Sequence, residues 1–381
     1  MTKIDLITYS RTRNYGGILQ AYGLYRYLEL KGYDIRFIDY IPARCNIKNR
    51  KVFVDEATAL SKIWGRNAIT KFLFSIFRYS SSKKSFEPFL DFMNSRVKFT
   101  KEYFSIQELE NDIPKADIYL TGSDQVWNSQ FLREKGLDMP FYLSFVNNCK
   151  KMSYASSFGK DSIPDENKKE VQELISQYSA VSVREKSGKI LLEKLGIKAE
   201  VVVDPTILCP EVEWKRISSP RKIKEYVFLY QVNFNKEMYI MAKKIAKKEG
   251  KKLIVVCLNK IKKYKIPEIK MNVSIEDWLS FIQYADCVIT DSFHACVFSI
   301  IFSTKFLVNT STRKGMATRI DNLLEMLNLT NVYMDSCSEK ENINKLKKPI
   351  KWEKVHEILN EMRMKSEKWL EESIENNKFC S

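Results

Sequence analysis

The chain's 381 residues suffice for two domains of ordinary size, and its 44% hydrophobic and 12% aromatic residues supply a large core, which excludes a disordered polypeptide. A formal charge of +16 favours anionic partners, and the eight cysteines, none in a CxxC pair, exclude a zinc ribbon or disulfide framework and suit a reducing cytoplasm. The opening MTKIDLITYS has no charged segment followed by an apolar one, and no apolar run approaches the ~20 residues of a membrane span, so a cytoplasmic protein is expected.

Residues 4–9 read as a buried strand. The next segment reads as a helix, its apolar positions Ile18, Ala21, Tyr22, Tyr25 and Leu28 recurring at helical spacing until Gly32. A second strand is expected at 33–40. This β-loop-α-β opening sets Asn14, Tyr15, Gly16 and Gly17, with Gln20 just beyond, at a strand-to-helix junction suited to a phosphate or a sugar. It lacks the GxGxxG spacing of a dinucleotide fingerprint. Residues 51–110 break the alternation with helical, aromatic sequence in which Trp64, Phe72, Phe74 and Phe77 mix with Lys62, Arg66, Lys71 and Arg78. A helix packed on its domain through that apolar face is expected, and a helix lying in a membrane interface is the alternative.

The alternation then resumes. Strands are expected at 116–121, 151–158, 180–183 and 200–203, and each delivers polar residues at its C-terminal end. These are Ser123 and Asp124 in GSDQVWN (122–128), then Ser156 and Ser157, Arg184, and Asp204. A parallel sheet with a polar rim follows. Prolines and serines without periodicity at 208–224 mark a boundary, giving an N-terminal domain 1–210 with a helical insertion at about 51–110 and a C-terminal domain 211–381. In the second domain, strands at 226–231, 253–257, 287–290 and 306–309 alternate with helices at 237–248, 275–284 and around ATRIDNLLEML. An amphipathic helix over 352–374 closes the chain. The expected fold class is α/β, with two Rossmann-like domains facing across a cleft.

Charge is unevenly spread, with 17 Lys and Arg against 4 Glu between Lys215 and Lys270. The Lys243, Lys244, Lys247, Lys248 face reads as the solvated side of a helix, with an anionic partner as the alternative.

Most of the chemistry gathers in residues 284–302, YADCVITDSFHACVFSIIF: a short strand, a polar turn at Asp291 and Ser292, and a helix too apolar to sit anywhere but inside. Of the chain's two histidines, His356 lies among charges and is expected at the surface, while His294 stands in the first turn of that helix. The exposed N–H groups and dipole of a helix N-terminus favour an anion, and a histidine there can move protons near neutral pH. The competing reading of His294 is a core residue satisfied by a backbone carbonyl. Arg184 brings a planar fork that matches phosphate or carboxylate, against an ion pair with Glu185 or Asp161. Asp124 can orient a hydroxyl or act as a base, against a helix cap. No GxxxxGK[ST], HExxH, GxSxG or kinase signature is present, and no residues cluster at metal-ligand spacing. What remains is transfer of a group from an anionic donor, using one histidine and several arginines.

The ordered set NYGGILQAYGLYRYL with FIDY, TGSDQVWN, SYASSFG, SVREKSGKILLEKLG, VVDPTIL and TDSFHACVFSIIF, spanning residue 4 to about 328, resembles the polysaccharide pyruvyltransferase family. The resemblance implies two Rossmann-like domains of the GT-B glycosyltransferase kind. It also implies transfer of pyruvate from phosphoenolpyruvate to a sugar of a cell-surface polysaccharide or its lipid diphosphate-linked precursor, as a ketal and without a cofactor. His294 is then the general acid/base and Arg184 binds the donor, on a C-terminal phosphoenolpyruvate side. Asn14 to Gly17 and Gln20, with Ser123, Asp124, Gln125, Trp127 and Asn128, line the acceptor side. Some members carry Arg-Leu-His where this chain has Ser292-Phe293-His294, so Arg313, Lys314 or Arg319 is expected to supply the missing charge.

The runner-up is a nucleotide-sugar glycosyltransferase on the same scaffold. From another class comes a non-catalytic module that binds an anion or a membrane surface. A middle position has the basic stretch hold the enzyme peripherally at the inner, anionic face of the membrane, where a lipid diphosphate-linked sugar acceptor would reside, and nucleic acid is not expected because that stretch lacks a stacking-aromatic pattern.

Overall fold

The computed structural model describes residues 1–59, 61–129, 136–220, 223–259, 266–310 and 317–376. The chain forms two compact units, Met1–Val202 with Leu370–Ser381, and Val203–Trp369.

The first unit is built on seven strands: β1 (Lys3–Ile7), β2 (Asp34–Tyr40), β3 (Phe99–Tyr103), β4 (Ile118–Thr121), β5 (Lys150–Ser156), β6 (Ala180–Val183) and β7 (Glu200–Val201). Their order is 3-2-1-4-5-6-7 and each adjacent pair is parallel. Every residue of β4 and β5 is buried, as expected of parallel strands covered on both faces. The helix Tyr15–Leu30 follows β1. Asn14 caps it by accepting the Gly16 and Gly17 N–H groups, and Gly32 at φ +84° turns the chain out of it. β2 lies to one side of β1 and β4 to the other, so the topological switch point falls between the C-terminal ends of β1 and β4.

The second unit holds β8 (Tyr226–Asn233), β9 (Lys252–Asn259), β10 (Ile269–Lys270), β11 (Cys287–Thr290) and β12 (Phe306–Val308), all parallel in the order 10-9-8-11-12. Its switch point lies between β8 and β11. Trp278 anchors the core beneath it, edge-on to Tyr230 and Phe298 at 5.1 and 5.8 Å. The C-terminal helix Trp352–Glu375 is amphipathic, burying Val355, Leu359, Leu370 and Ile374. Its end is tied down in the first unit, where the Lys150 ammonium donates to the Ile374 and Asn376 carbonyls at 2.6 Å each.

Several segments depart from the sequence reading. The strand β3 lies inside residues 51–110, as an edge strand whose mixed FTKEY pattern hides it. The supposedly irregular 208–224 contains the helix Glu211–Ile217, whose Trp214 is fully buried against Phe298 with centroids 5.1 Å apart. His356 is half-buried rather than merely exposed, its Nε2 2.8 Å from Ser303 Oγ. The helix Ala68–Phe77 buries none of its residues, so packing through its apolar face is not what holds it. The lysine face of the helix Lys236–Lys248 is the solvated side of an otherwise packed element, with Lys243 beside Glu268 at 2.9 Å and Lys248 beside Glu339 at 3.7 Å.

Candidate active site

In the second unit the strand ends at the switch point are stitched together. The Val232 N–H donates to Asp291 Oδ1 at 3.1 Å, fixing the turn after β11 to the end of β8. Ser292 donates its N–H to Thr290 Oγ1, and its own hydroxyl receives the Ala295 N–H at 3.5 Å, capping the helix Phe293–Ile301. The rest of that helix is buried, so its first turn is fixed at the rim and carries His294 with it.

The histidine faces a carboxylate. Asp204 begins the short helix Pro205–Leu208, and its Oδ1 accepts both the N–H and the hydroxyl of Thr206 at 3.0 and 2.7 Å. Its Oδ2 stands 3.6 Å from His294 Nε2, with the side chains 1% and 12% exposed. That separation is too long for a hydrogen bond, and Nε2 is buried without one among the described residues. It suits an ion pair once the ring is protonated, and such contacts commonly tighten only when substrate is bound. Trp214 holds the arrangement: its ring packs on Phe298 of the histidine helix while its Nε1–H donates to the Thr206 carbonyl at 3.0 Å. Asp204 was legible in the sequence as a strand-end carboxylate, but nothing in the spacing pairs it with His294.

Of the residues expected to replace the missing arginine, Arg319 belongs to the helix Ala317–Met326, and its guanidinium carbon lies 5.7 Å from the Phe293 ring centroid. This puts a cation beside the first turn of the histidine helix. Arg313 and Lys314 lie outside the described residues.

In the first unit Asn14, Gly16, Gly17, Gln20, Ser123 and Asp124 gather at the switch point. Thr8, just past β1, donates its hydroxyl to the Ser123 carbonyl at 2.5 Å, and the Gln20 amide donates to Thr8 Oγ1 and the Gly17 carbonyl. Gly17 leaves room for this junction: a Cβ there would sit 2.9 Å from Thr12 Cγ2 and 3.4 Å from Asp124 Oδ2. Asp124 has φ +78°, and its carbonyl accepts the Ser157 N–H at 3.0 Å. It therefore sits in a strained turn rather than capping a helix.

Arg184 follows β6 with its side chain 3% exposed. Its Nη2 is 3.9 Å from Asp124 Oδ1 and its Nε is 3.6 Å from Glu185 Oε2, while the other Glu185 oxygen accepts the Ser157 hydroxyl. The ion pair with Glu185 exists, and Asp124 joins it where Asp161 was the other candidate. Both contacts are longer than hydrogen bonds, so the guanidinium is held by charge rather than by a closed fork.

The remaining expected residues are buried. Trp127 is buried in the core, stacked on Tyr142 at 5.9 Å, with Nε1–H donating to the Phe141 carbonyl. Tyr15 is buried against Phe89 at 4.9 Å. Gln125 and Asn128 bond each other at 3.0 Å. Arg11, beside the same junction, forms a bidentate ion pair with Asp39 and is a structural residue. Among the described residues no group of three or more His, Cys, Asp or Glu side chains is arranged to hold a metal ion.

Solved structures share this architecture at low identity. The S. aureus MnaA–UDP co-structure matches over 98% of this chain and 96% of that chain at 13% identity and a TM-score of 0.52. A UDP-N-acetylglucosamine 2-epimerase from Rickettsia bellii matches over 97% and 95% at 12% identity and a TM-score of 0.50. An α-glucosyltransferase in complex with UDP and a 13-mer DNA matches over 97% and 95% at 9% identity and a TM-score of 0.50. These likenesses establish the fold, two Rossmann-like domains of GT-B type. No curated protein matches the chain. The polysaccharide pyruvyl transferase family model matches residues 14–308, a span that holds the switch point of the second unit, Arg184, Asp204 and His294. The chain belongs to the polysaccharide pyruvyl transferase family and is an enzyme of that class.

Proposed function

We propose that this enzyme transfers pyruvate from phosphoenolpyruvate onto two hydroxyls of a sugar in a cell-surface polysaccharide or its lipid diphosphate-linked precursor. The observation that carries this reading is the His294–Asp204 pair, held at a strand-end switch point inside the matched span. In the reaction, a proton adds to the methylene carbon of phosphoenolpyruvate while one sugar hydroxyl bonds to the central carbon. The second hydroxyl bonds to the same carbon as its bond to phosphate oxygen breaks. Of the two hydroxyl protons, one balances the proton given to carbon and the other leaves with phosphate. A single imidazole steadied by a carboxylate can deliver the first proton and collect the next.

The donor brings a phosphate and a carboxylate, which suits the N–H groups of the histidine helix with Arg319, and the planar fork of Arg184 matches either group. Asp124, with Asn14 and Gln20, is suited to orienting acceptor hydroxyls. No cofactor is needed.

Incubation with phosphoenolpyruvate and a panel of sugar acceptors should release phosphate and leave acid-labile pyruvate on sugar, and His294→Ala should abolish both. Absence of both products across a broad panel would sink the reading. Selective binding of a uridine nucleotide sugar, with none of phosphoenolpyruvate, would replace it with a nucleotide-sugar glycosyltransferase.

A further inference from the structure

We infer that the helix Ala68–Phe77 docks this protein on an anionic lipid bilayer. Ile69, Phe72, Leu73, Ile76 and Phe77 recur at the spacing of one helical face, and each is between 38% and 70% exposed. Ile63, just before the helix, is 70% exposed as well. The helix is therefore turned inside out relative to an ordinary surface helix. Its polar side is the one fastened to the protein, through the ion pair of Lys71 with Asp55 and the bond from Arg50 to Ser75 Oγ at 2.6 Å. One aromatic residue, Phe74, completes the inner contact, edge-on to Trp64 at 5.7 Å. The asparagine cap at Asn67 and its reciprocal bond with Thr70 fix where the helix begins, so the outward apolar stripe belongs to a formed element.

Charge identifies the occupant. From Ser61 to Phe86 the sequence carries six Lys and Arg and no Asp or Glu, and Lys62, Arg66, Lys83 and Lys84 are exposed. An apolar stripe flanked in sequence only by cations matches an anionic headgroup layer over acyl chains. A second copy of the same surface would bring like charges together, which disfavours self-association. No helix among the described residues is long and apolar enough to cross a membrane, so the contact is one of lying on the surface. The lysines at 243, 244, 247 and 248 are a weaker candidate, because Glu268 and Glu339 partly neutralise them. The inference stands independently of the donor chemistry.

The test is flotation of the full chain with vesicles of phosphatidylglycerol and phosphatidylcholine, compared with phosphatidylcholine alone. The protein should float with the anionic vesicles, weakly with the neutral ones, and less as salt rises. Phe72→Ser with Phe77→Ser should cut the bound fraction by about tenfold or more with an unchanged melting temperature, since both rings are exposed. Lys83→Gln with Lys84→Gln should weaken binding and flatten its salt dependence. Failure of the native protein to float at low salt, or equal flotation of the phenylalanine variant, overturns the inference. So does light scattering that shows a native dimer which the same variant reduces to a monomer. If the phenylalanine variant fails to fold, native binding that is indifferent to both lipid charge and salt overturns it too.

Discussion

Asp204 Oδ2 and His294 Nε2 face each other at 3.6 Å, brought together by the packing of Trp214 on Phe298 rather than by nearness in the chain. The carboxylate has two tasks that substitution can separate, because Oδ1 caps a helix while Oδ2 meets the ring.

Asp204→Asn keeps an oxygen for Thr206 but cannot stabilise an imidazolium. We expect kcat to fall about a hundredfold, with KM for phosphoenolpyruvate little changed and the melting temperature nearly constant. Steady-state kinetics beside a thermal melt would check it. Unchanged kcat in this variant, alongside an inactive His294→Ala, would reduce Asp204 to a cap.

Arg184→Lys separates charge from geometry. A lysine retains a cation between Asp124 and Glu185 but loses the fork that a phosphate or carboxylate can grip. KM for phosphoenolpyruvate should rise about tenfold while the fold survives. Arg184→Met should instead destabilise by about 3–5 kcal/mol, because it leaves two carboxylates without their cation. A lysine variant with native KM would make Arg184 purely structural.

Gly159 has φ +64°, and a Cβ built there would lie 2.4 Å from Gln125 Cδ. Gly159→Ala should therefore cost about 2 kcal/mol from backbone strain and the displaced amide together. Denaturant unfolding measures it. Gln125→Ala in the same background should recover the part due to the clash.

Burial holds the Lys150 amine below its ordinary value of 10.5. In the window between that depressed value and 10.5 the unfolded chain binds more protons than the folded one. Stability from this group thus rises with pH toward 10.5 and falls as pH drops through the window. Lys150→Met should remove that slope and, by freeing the Ile374 and Asn376 carbonyls, cost about 1–3 kcal/mol. Melting temperatures of the two proteins between neutral and alkaline pH give the difference directly.

The parallel strands were legible because strands covered on both faces are nearly continuous apolar runs, as in Cys287–Thr290, whose four residues are all buried. Edge strands were not: Phe99–Tyr103 is covered on one side only and mixes charge with aromatics, and Ile269–Lys270 is too short to show a period. The helix Ala68–Phe77 exposes a different limit, since periodicity reveals two faces but not which one meets the protein. In the candidate site, strand-end positions could be read off because the alternation of strands and helices dictates them. His294, Arg184 and Asp124 were visible for that reason. The partnership of His294 with Asp204, and of Arg184 with Asp124, depends on how separate segments pack, which no local pattern encodes.

The left-handed backbone at Asp124 limits what can occupy that position before any chemistry is considered. Asparagine and glycine tolerate the conformation, whereas valine, isoleucine or threonine would force the turn to open. In a saturation library at this codon, Asn would report on lost charge with the main chain undisturbed, and the β-branched variants would report on the loop itself.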